Sequence, residues 1–321
     1  MNNTAILNTA LATIELEAAS IQELKAFINK DFENVLSAIF SSRGRIVVSG
    51  VGKSAIIAQK IAATFNSTGT PSIFMHGADA IHGDLGMVLP DDIVILISKS
   101  GNSPEIKVLV PLIKSFGNLL IGMVGNTTSF LAAQCDIILN TTVQQEACPN
   151  NLAPTTSTTA QMVMGDTLAV CLMEMRAFNS VDFAKFHPGG ALGKKLYLRV
   201  SDISSQNERP AVQEDASIHD VIMEITQKRL GAAVVLHTDE TIAGIVTDGD
   251  LRRMLSKTSD LNSLKAKDIM SAKPLSVDGD TLASDAMDTM KEKGINQLIV
   301  IENNKYSGII HLQDLVREGI F

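Results

Sequence analysis

The sequence contains no tryptophan, and aromatic residues occupy only 4% of its 321 positions. Sites that hold a base or a sugar ring mainly by stacking need several such side chains, so this mode of binding is disfavoured. Lysine and arginine form no run, and the formal net charge of −8 argues against nucleic acid or an anionic membrane as a partner. No apolar stretch approaches the ~20 residues that span a bilayer.

Cysteine is also scarce. Cys135, Cys148 and Cys171 are odd in number and lack the CxxC spacing of a zinc or redox centre. They fit a reducing compartment better than a disulfide framework. The first twenty residues contain two glutamates and no lysine or arginine, so they lack the basic region of a signal peptide. These absences predict a cytoplasmic protein.

Short apolar runs alternate with helical patterns through the first half of the chain. This alternation predicts an α/β domain with a doubly wound, parallel, five-stranded sheet. The strands are predicted at 45–49, 72–75, 93–98, 119–124 and 136–139. Apolar residues at helical spacing predict two N-terminal helices broken near Ser20, and later helices at 55–66, 104–114, 129–133 and 157–178.

Two turns rich in glycine and hydroxyl groups follow the first and third predicted strands. Ser49–Ser54 reads SGVGKS, and Ser98–Glu105 reads SKSGNSPE with Pro104 suited to the first turn of a helix. In such sheets, ligands bind at the carboxyl ends of the strands, where both turns fall. Free N–H groups and the helix dipole there favour an anion. The turns therefore predict a phosphate seat, although ordinary capping would produce the same local pattern.

Two common nucleotide motifs are disfavoured. A triphosphate-binding loop needs glycine five residues before Gly52, where this chain has Val47. A dinucleotide site needs an acidic residue at the end of the second strand, which instead runs into Met75, His76 and Gly77. A small phosphate ester is the ligand that remains.

The second half contains an internal repeat. GIVTDGDLRR at Gly244–Arg253 recurs as GIIHLQDLVR at Gly308–Arg317, 64 positions later. Each copy is predicted as a helix–strand–strand–helix unit of about 50–60 residues that stacks on its twin to complete a core. The polar segment Ser201–Pro210 before the repeat is a candidate domain boundary.

Histidines and carboxylates near glycine complete the set of candidate residues. His76 and His82 are six positions apart and would not share a helix face, so the spacing gives a metal only weak support at His76. His187 opens the segment HPGG. Glu105 falls at a predicted helix start, where dipole compensation alone would explain it, and Glu146 follows the fifth strand at the ligand edge.

These motifs resemble a known family. SxSGxSxE at 98–105, with the GVGKS turn before it, is similar to a sugar isomerase (SIS) domain, and the repeat is similar to a pair of CBS domains. The full order adds HGDLGM, EACPNNLAPTTSTT and FHPGGALG, and it resembles the arabinose-5-phosphate isomerases over nearly the whole chain. The resemblance implies an SIS domain followed by a tandem pair of α+β CBS domains. The predicted boundaries are N-terminal helices at 1–34, the SIS domain at 35–178, an active-site segment and linker at 179–203, and CBS domains at 204–262 and 267–321.

The resemblance implies an enzyme that interconverts D-ribulose 5-phosphate and D-arabinose 5-phosphate through a cis-enediol. This reaction requires no cofactor and feeds Kdo synthesis for lipopolysaccharide or capsule. It needs a phosphate anchor, a base for the carbon proton and an acid–base group for the oxygens. The substrate-binding residues implied by the family are Ser49, Gly69, Thr70, His82, Ser98, Ser100 and Ser103.

The family's catalytic positions fall on Lys53, Glu105, Glu146 and His187. Glu146 is our predicted carbon base, with Glu105 as the alternative, and Lys53 is assigned to the enediolate oxygen. His187 would open the sugar ring, reaching in from a second subunit. A carboxylate base works best when its pKa is raised from ~4.3 toward ~6–7, and the neighbours at 147–149 predict such a desolvated site.

CBS pairs bind adenine nucleotides through a Ser/Thr-x-x-Asp pattern. The first repeat has this pattern as Thr247 and Asp250, whereas the second begins with His311. The resemblance therefore implies at most one complete nucleotide site, a regulatory or assembly role for the repeats, and a homotetramer.

Two other functions stay open. One is a non-catalytic regulator that senses a phosphosugar, although no helix-turn-helix precedes Arg45. The other is an isomerase of a different phosphosugar, such as a hexulose phosphate.

Overall fold

The computed structural model describes residues 3–257, 261 and 263–320. The chain divides into two compact units, Met1–Phe186 and His187–Phe321. The predicted domain ends at Met1, Asn262 and Phe321 lie outside the described residues.

The first unit is built from alternating strands and helices. Its strands are β1 (Ile46–Gly50), β2 (Ser72–His76), β3 (Ile93–Ser98), β4 (Leu120–Val124) and β5 (Ile137–Asn140). Its helices are α1 (Asn3–Glu23), α2 (Lys30–Ser41), α3 (Lys53–Ser67), α4 (Gly77–Ala80), α5 (Pro104–Phe116), α6 (Phe130–Gln134), α7 (Thr156–Met175) and α8 (Ser180–Phe186), with 3₁₀ turns at Leu24–Phe27 and Asp84–Met87.

The break between the N-terminal helices lies after Ser20. Helix α1 continues to Glu23, and α2 begins only after Asn29. The side chain of Asn29 caps α2 by accepting N–H bonds from Asp31 at 3.0 Å and Phe32 at 3.3 Å. A side-chain cap satisfies N–H groups at the helix start that would otherwise be unpaired. The cap at Asn29 therefore determines where α2 begins more strongly than the small residues near Ser20 do.

The predicted five-stranded parallel sheet is confirmed, with the order β2-β1-β3-β4-β5. In a doubly wound sheet, the ligand crevice opens where the strand order reverses, which here is between β1 and β3. The two turns singled out from the sequence follow these two neighbouring strands. The topology therefore brings both predicted anion cradles to one crevice.

The apolar run of β3 is continuous because the strand is buried on both faces. Ile95 and Ile97 pack into one core with α2, α3 and α7, whereas Val94 and Leu96 pack into the other with α5 and α6. Alternate residues of a strand point to opposite faces, so each core receives every second side chain. This double burial holds the turn after Ser98 on a rigid strand.

Helices α3 and α7 pack closely on one face of the sheet. A side chain at Gly165 would collide with Ile61, so glycine permits the close approach. Lys60 pairs with Asp166, and the Ser54 hydroxyl donates to Gln161 at 3.2 Å. These contacts hold the middle of α7 against α3, the helix that follows the first turn.

The second unit contains the repeat. Its elements are α9 (Ala191–Tyr197), α10 (Val200–Ser204), β6 (Ala211–Gln213), α11 (Ile218–Lys228), β7 (Ala232–Leu236), β8 (Ile242–Thr247), α12 (Asp248–Leu255), α13 (Ala266–Ile269), β9 (Ser271–Ala272), β10 (Ser276–Asp278), α14 (Ala283–Lys293), β11 (Gln297–Glu302), β12 (Lys305–His311) and α15 (Leu312–Arg317).

The two repeats have the predicted helix–strand–strand–helix order, as α11-β7-β8-α12 and α14-β11-β12-α15. They share a core in which Val234 packs with Ile299 and Ile309, so each repeat buries apolar surface against its twin.

The repeats also exchange their leading helices. Helix α10 precedes the first repeat but packs into the core of the second, where Val200 donates its N–H to the Thr281 carbonyl at 2.9 Å. Helix α13 precedes the second repeat but lies on the first, where Ala266 donates to the Ala216 carbonyl at 3.0 Å. The polar segment at 201–210 therefore contains part of the second repeat's core. Across the described ranges, no helix is long and apolar enough to cross a membrane.

Candidate active site

A cleft of about 270 Å³ opens at the carboxyl ends of β1 and β3. This is close to the lower end of the roughly 300–1,000 Å³ range of small-molecule sites. Both glycine-hydroxyl turns and the start of α7 line the cleft. The lining residues are Val51, Gly52, Lys53, Ser54, Ile97, Ser98, Lys99, Ser100, Ser103, Ile106, Pro154 and Ser157.

The turn after β3 is held by hydrogen bonds within itself. The Gly101 N–H donates to Ser98 Oγ at 3.0 Å, and the Asn102 N–H donates to Ser100 Oγ at 3.3 Å. Gly101 has a φ of 64°, and a Cβ there would collide with Ser129. Only glycine fits this left-handed position without strain, so the turn has one preferred shape.

Ser103 lies at the N-cap of α5, but its side chain makes no cap hydrogen bond. Its hydroxyl is buried in the cleft wall and has no partner among the described residues. Buried polar groups in proteins are nearly always paired. An unpaired hydroxyl at the positive end of a helix of 13 residues therefore points to an anionic ligand.

The turn after β1 contributes Lys53 to the cleft. Gly52 has a φ of 61° and stands at the N-cap of α3, and Lys53 is the exposed first residue of that helix. Ser49 lies within β1 and does not line the cleft. Its side chain is fully buried, and its hydroxyl has no partner among the described residues.

Glu146 lies behind the cleft with a fully buried side chain. Its Oε1 accepts from Lys99 Nζ at 2.6 Å and from the Ser157 hydroxyl at 2.5 Å. Its Oε2 accepts from the N–H groups of Thr155 at 2.9 Å and Ser157 at 3.1 Å, and from the Thr155 hydroxyl at 3.3 Å. Thr155, at the N-cap of α7, and Ser157, in its first turn, thus supply four of the five donors.

The expectation that the pKa of Glu146 is raised is wrong for this structure. Burial by itself would raise the pKa, but hydrogen bonds from Lys99, Ser157 and Thr155 outweigh it and lower the pKa to about 2. Donors that bind the charged form of a carboxylate favour that form. The apolar neighbours at 147–149 therefore do not decide the charge of this group.

Lys99 is a residue that the sequence analysis missed. It stands between Ser98 and Ser100 in the predicted phosphate seat, lines the cleft and forms the ion pair with Glu146. One signal was available, because Lys99 is the single cation in the eight-residue segment Ser98–Glu105. Nothing local in the sequence indicated that its partner lies 47 positions away.

Two predicted site residues of the first unit, Glu105 and His82, are not among the residues that line the cleft, and a third belongs to the other unit. Glu105 is half-buried in the first turn of α5 and does not line the cleft. His82 is exposed in the turn after α4. His187 belongs to the second compact unit.

Gly69 and Thr70 precede β2 and so lie at the amino edge of the sheet, opposite the cleft. Five residues of strand separate the two edges by about 16 Å. Thr70 is buried, and its hydroxyl accepts from Arg176. One copy of the chain does not bring these two residues to the cleft.

The weak metal prediction at His76 gains no support from its surroundings. Its Nδ1 lies 3.6 Å from Asp79 Oδ2. Over the part of the chain that the structure describes, no three histidine, cysteine or carboxylate side chains form a metal-sized cluster.

The Thr247–Asp250 pattern has a structural role in the second unit. Thr247 is the N-cap of α12, and Asp250 accepts from its N–H at 2.8 Å and from its hydroxyl at 2.7 Å. His311 and Asp314 form the matching capping box at α15. Because a capping box needs these residue types at this spacing, the pattern alone does not require a nucleotide.

A larger cleft of about 640 Å³ opens between the two repeats. It is lined by His311 and Asp314 of the second repeat, with Arg229 and Asp248 of the first, and not by Thr247 or Asp250. A separate cleft of about 320 Å³ is lined by Asp250 and Arg253 of the first repeat, so the structure offers volume beside both patterns.

The fold and the cleft define an SIS domain followed by two CBS domains. A family model of the SIS domain matches residues 39–171, and a model of the CBS domain matches residues 200–257 and 266–320. Among relatives, arabinose 5-phosphate isomerase KdsD of Yersinia pestis is 47% identical over 96% of this chain and 94% of the relative. The KdsD protein of Escherichia coli K12 is 44% identical over the same shares. The chain belongs to the arabinose 5-phosphate isomerase family.

Solved structures agree with this assignment. The Escherichia coli CFT073 protein c3406, determined in complex with A5P, is 44% identical and aligns with a TM-score of 0.57 over 59% of this chain and all of its own. A putative sugar-phosphate isomerase of Listeria monocytogenes is 35% identical, with a TM-score of 0.57 over 59% of this chain and 99% of its own.

Proposed function

We propose that this protein interconverts D-ribulose 5-phosphate and D-arabinose 5-phosphate by aldose–ketose isomerisation. The observation that carries the proposal is a buried carboxylate, Glu146, placed directly behind a cleft that suits a phosphate. The Ser157 side chain joins the two, because it lines the cleft and donates to Glu146 at 2.5 Å. The membership of the chain in the isomerase family supports the choice of substrate.

The phosphate would bind in the turn after β3. Ser103 offers an unpaired hydroxyl, and Ser98 and Ser100 also line the cleft. Lys53 and Lys99 are the titratable residues of the lining, which contains no carboxylate side chain. A phosphate dianion is the complementary charge for this wall.

The proton on the substrate carbon would be taken by Glu146. Isomerisation moves this proton between adjacent carbons through an enediolate, which needs a positioned base and a group to hold the developing oxyanion. Glu146 is ionised at neutral pH, and Lys53 supplies a cation at the cleft for the oxyanion. Glu105 stays the alternative base, and His187 stays the proposed acid–base group for ring opening.

The decisive experiment incubates the protein with ribulose 5-phosphate in D₂O and identifies the product by NMR. We expect arabinose 5-phosphate with deuterium at C2, and little reaction with fructose 6-phosphate or ribose 5-phosphate. Glu146→Gln should abolish the exchange, whereas Glu105→Gln tests the alternative. Tight binding without exchange would favour a phosphosugar sensor, and turnover of another substrate would identify a different isomerase.

We further propose that catalysis requires no cofactor, because the reaction moves a proton and an electron pair within one substrate. Activity should persist after exhaustive dialysis against EDTA. The product would feed Kdo synthesis for lipopolysaccharide or capsule in the cytoplasm.

We propose a homotetramer as the working assembly. Ile6, Leu7, Leu11 and Ile14 of α1 are each more than half exposed, and a second copy would cover these apolar side chains. Light scattering of the full chain would give the mass. The repeats would serve regulation or assembly, and calorimetric titration with adenine nucleotides tests whether they bind one.

A further inference from the structure

We propose that the substrate's phosphate activates Glu146 by drawing Lys99 away from it. This inference rests on the proposed function and adds a regulatory step within the same site. Lys99 would then act twice, first as the partner of the base and then as a ligand of the phosphate.

Lys99 is placed to serve both groups. Its Nζ lies 2.6 Å from Glu146 Oε1. Its backbone belongs to the turn after β3, in which the adjacent residues Ser98 and Ser100 line the cleft. The side chain of Lys99 is 43% exposed, whereas that of Glu146 is 0% exposed. Of the two partners, the flexible and solvent-exposed lysine is the one able to move.

The ligand-free arrangement makes Glu146 a poor base. Five hydrogen bonds hold its carboxylate, and the donor from Lys99 is charged. These donors stabilise the charged form and lower the pKa to about 2. A base this weak has little driving force for taking a proton from carbon.

Removing Lys99 changes this balance. The remaining donors, from Thr155 and Ser157, are neutral, and burial favours the protonated form of a carboxylate. Lys99 supplies the charged hydrogen bond to Glu146. Two other titratable groups belong to this region, namely Lys53 in the cleft wall and Cys148 two positions further along the loop. Without Lys99, the pKa of Glu146 would therefore rise toward the range in which it can act as a base.

A phosphate dianion is a strong competitor for Lys99. Charge-assisted hydrogen bonds are roughly twice as strong as neutral ones, and a dianion attracts the ammonium more than one carboxylate does. The cleft lining holds no acidic side chain to oppose such a ligand. A sugar without the phosphate would leave the ion pair intact and would lose kcat as well as affinity.

The test compares wild type with Lys99→Met, using Lys107→Met as the matched control. Lys107 is an exposed lysine on α5 and does not line the cleft. The pH profile of kcat reports the base in the bound enzyme, and that of kcat/KM, once corrected for ionisation of the free substrate's phosphate at pH ~6, reports the base in the free enzyme. In wild type, we expect the acidic limb of kcat at a higher pH than that of kcat/KM.

In Lys99→Met, the acidic limb of kcat/KM should rise to join that of kcat, and KM should increase by about 10- to 100-fold for the lost charged contact. Lys107→Met should keep the wild-type profiles. If KM rises but the acidic limbs of kcat and kcat/KM stay at different pH values, Lys99 is only a ligand of the phosphate and the proposed switch is overturned. Coincident limbs in wild type would also overturn it. Lys99→Gln provides a second variant if the methionine variant does not fold.

A binding measurement separates failure of the switch from failure of the proposed function, because it needs no turnover. Calorimetry with inorganic sulfate, which is a dianion near pH 5 and has no proton of its own to release, counts the protons taken up on binding when it is run in buffers of different ionisation enthalpy. Wild type should take up more protons than Glu146→Gln or Lys99→Met. Equal uptake in all three would refute the switch even if the isomerase activity is found.

Discussion

Replacing Glu146 by glutamine should lower the free energy of unfolding by about 3 kcal/mol at pH 7. The folded protein holds the pKa of this carboxyl at about 2, against an ordinary value of 4.5, through hydrogen bonds that outweigh its burial. At 1.36 kcal/mol per pKa unit, the preference for the charged form amounts to about 3 kcal/mol. Glutamine removes the charge and places an NH₂ group where five donors now converge on the carboxylate.

The pH dependence gives this prediction a sign. Because the folded pKa is the lower one, the stabilisation is fully present above pH 4.5 and disappears as the pH falls toward 2. The difference between wild type and Glu146→Gln should shrink over that window.

Urea unfolding followed by circular dichroism suits a chain that lacks tryptophan. Glu15→Gln, at an exposed position of α1, is the matched control and should change little. Equal stabilities at pH 7, or a difference that does not change with pH, would refute the reasoning.

Three further substitutions test other parts of the first unit. Asp92→Asn should lower the free energy of unfolding by about 3–5 kcal/mol in urea titrations, because the buried Asp92 carboxylate pairs with Arg45 at 2.8 Å; a loss below about 1 kcal/mol would contradict this. Gly101→Ala should lower the free energy of unfolding by about 1–3 kcal/mol in the same assay, since alanine is strained at a φ of 64° and would collide with Ser129. It should also weaken the binding of inorganic phosphate in calorimetry, and an unchanged phosphate affinity would contradict the role of the turn. Ser103→Ala should raise KM about 2- to 10-fold in initial-rate assays with kcat nearly unchanged, as expected for one neutral hydrogen bond to the phosphate, and a fall in kcat alone would contradict it.

The sequence was sufficient for the features that depend on local periodicity. The unbroken apolar run at Ile93–Ser98 predicted a strand buried on both faces, and the structure has this strand with the same ends. The repeat of GIVTDGDLRR predicted two stacked units, since two similar segments in a fixed order fold alike. The ends of helices were harder to predict, because a helix cap depends on a single side chain. The break between α1 and α2 was predicted near Ser20, but it lies just before the capping residue Asn29.

Only the tertiary structure decided which side chains share a site. The sequence placed polar turns after β1 and β3, but the strand order made those two strands neighbours. The same topology put Gly69 and Thr70 at the opposite edge of the sheet from the cleft. The pair of Lys99 and Glu146 joins residues 47 positions apart, which no spacing rule connects.

The charge state of Glu146 shows the physical reason for this division. Secondary structure follows from the pattern of nearby residues along the chain, whereas a pKa follows from whatever groups the fold brings within a few ångströms. The neighbours at 147–149 suggested an apolar site, but donors from the distant Lys99 and from the start of α7 keep the carboxylate ionised. The sequence by itself determined the architecture and the candidate residues, and the fold determined how those residues act on one another.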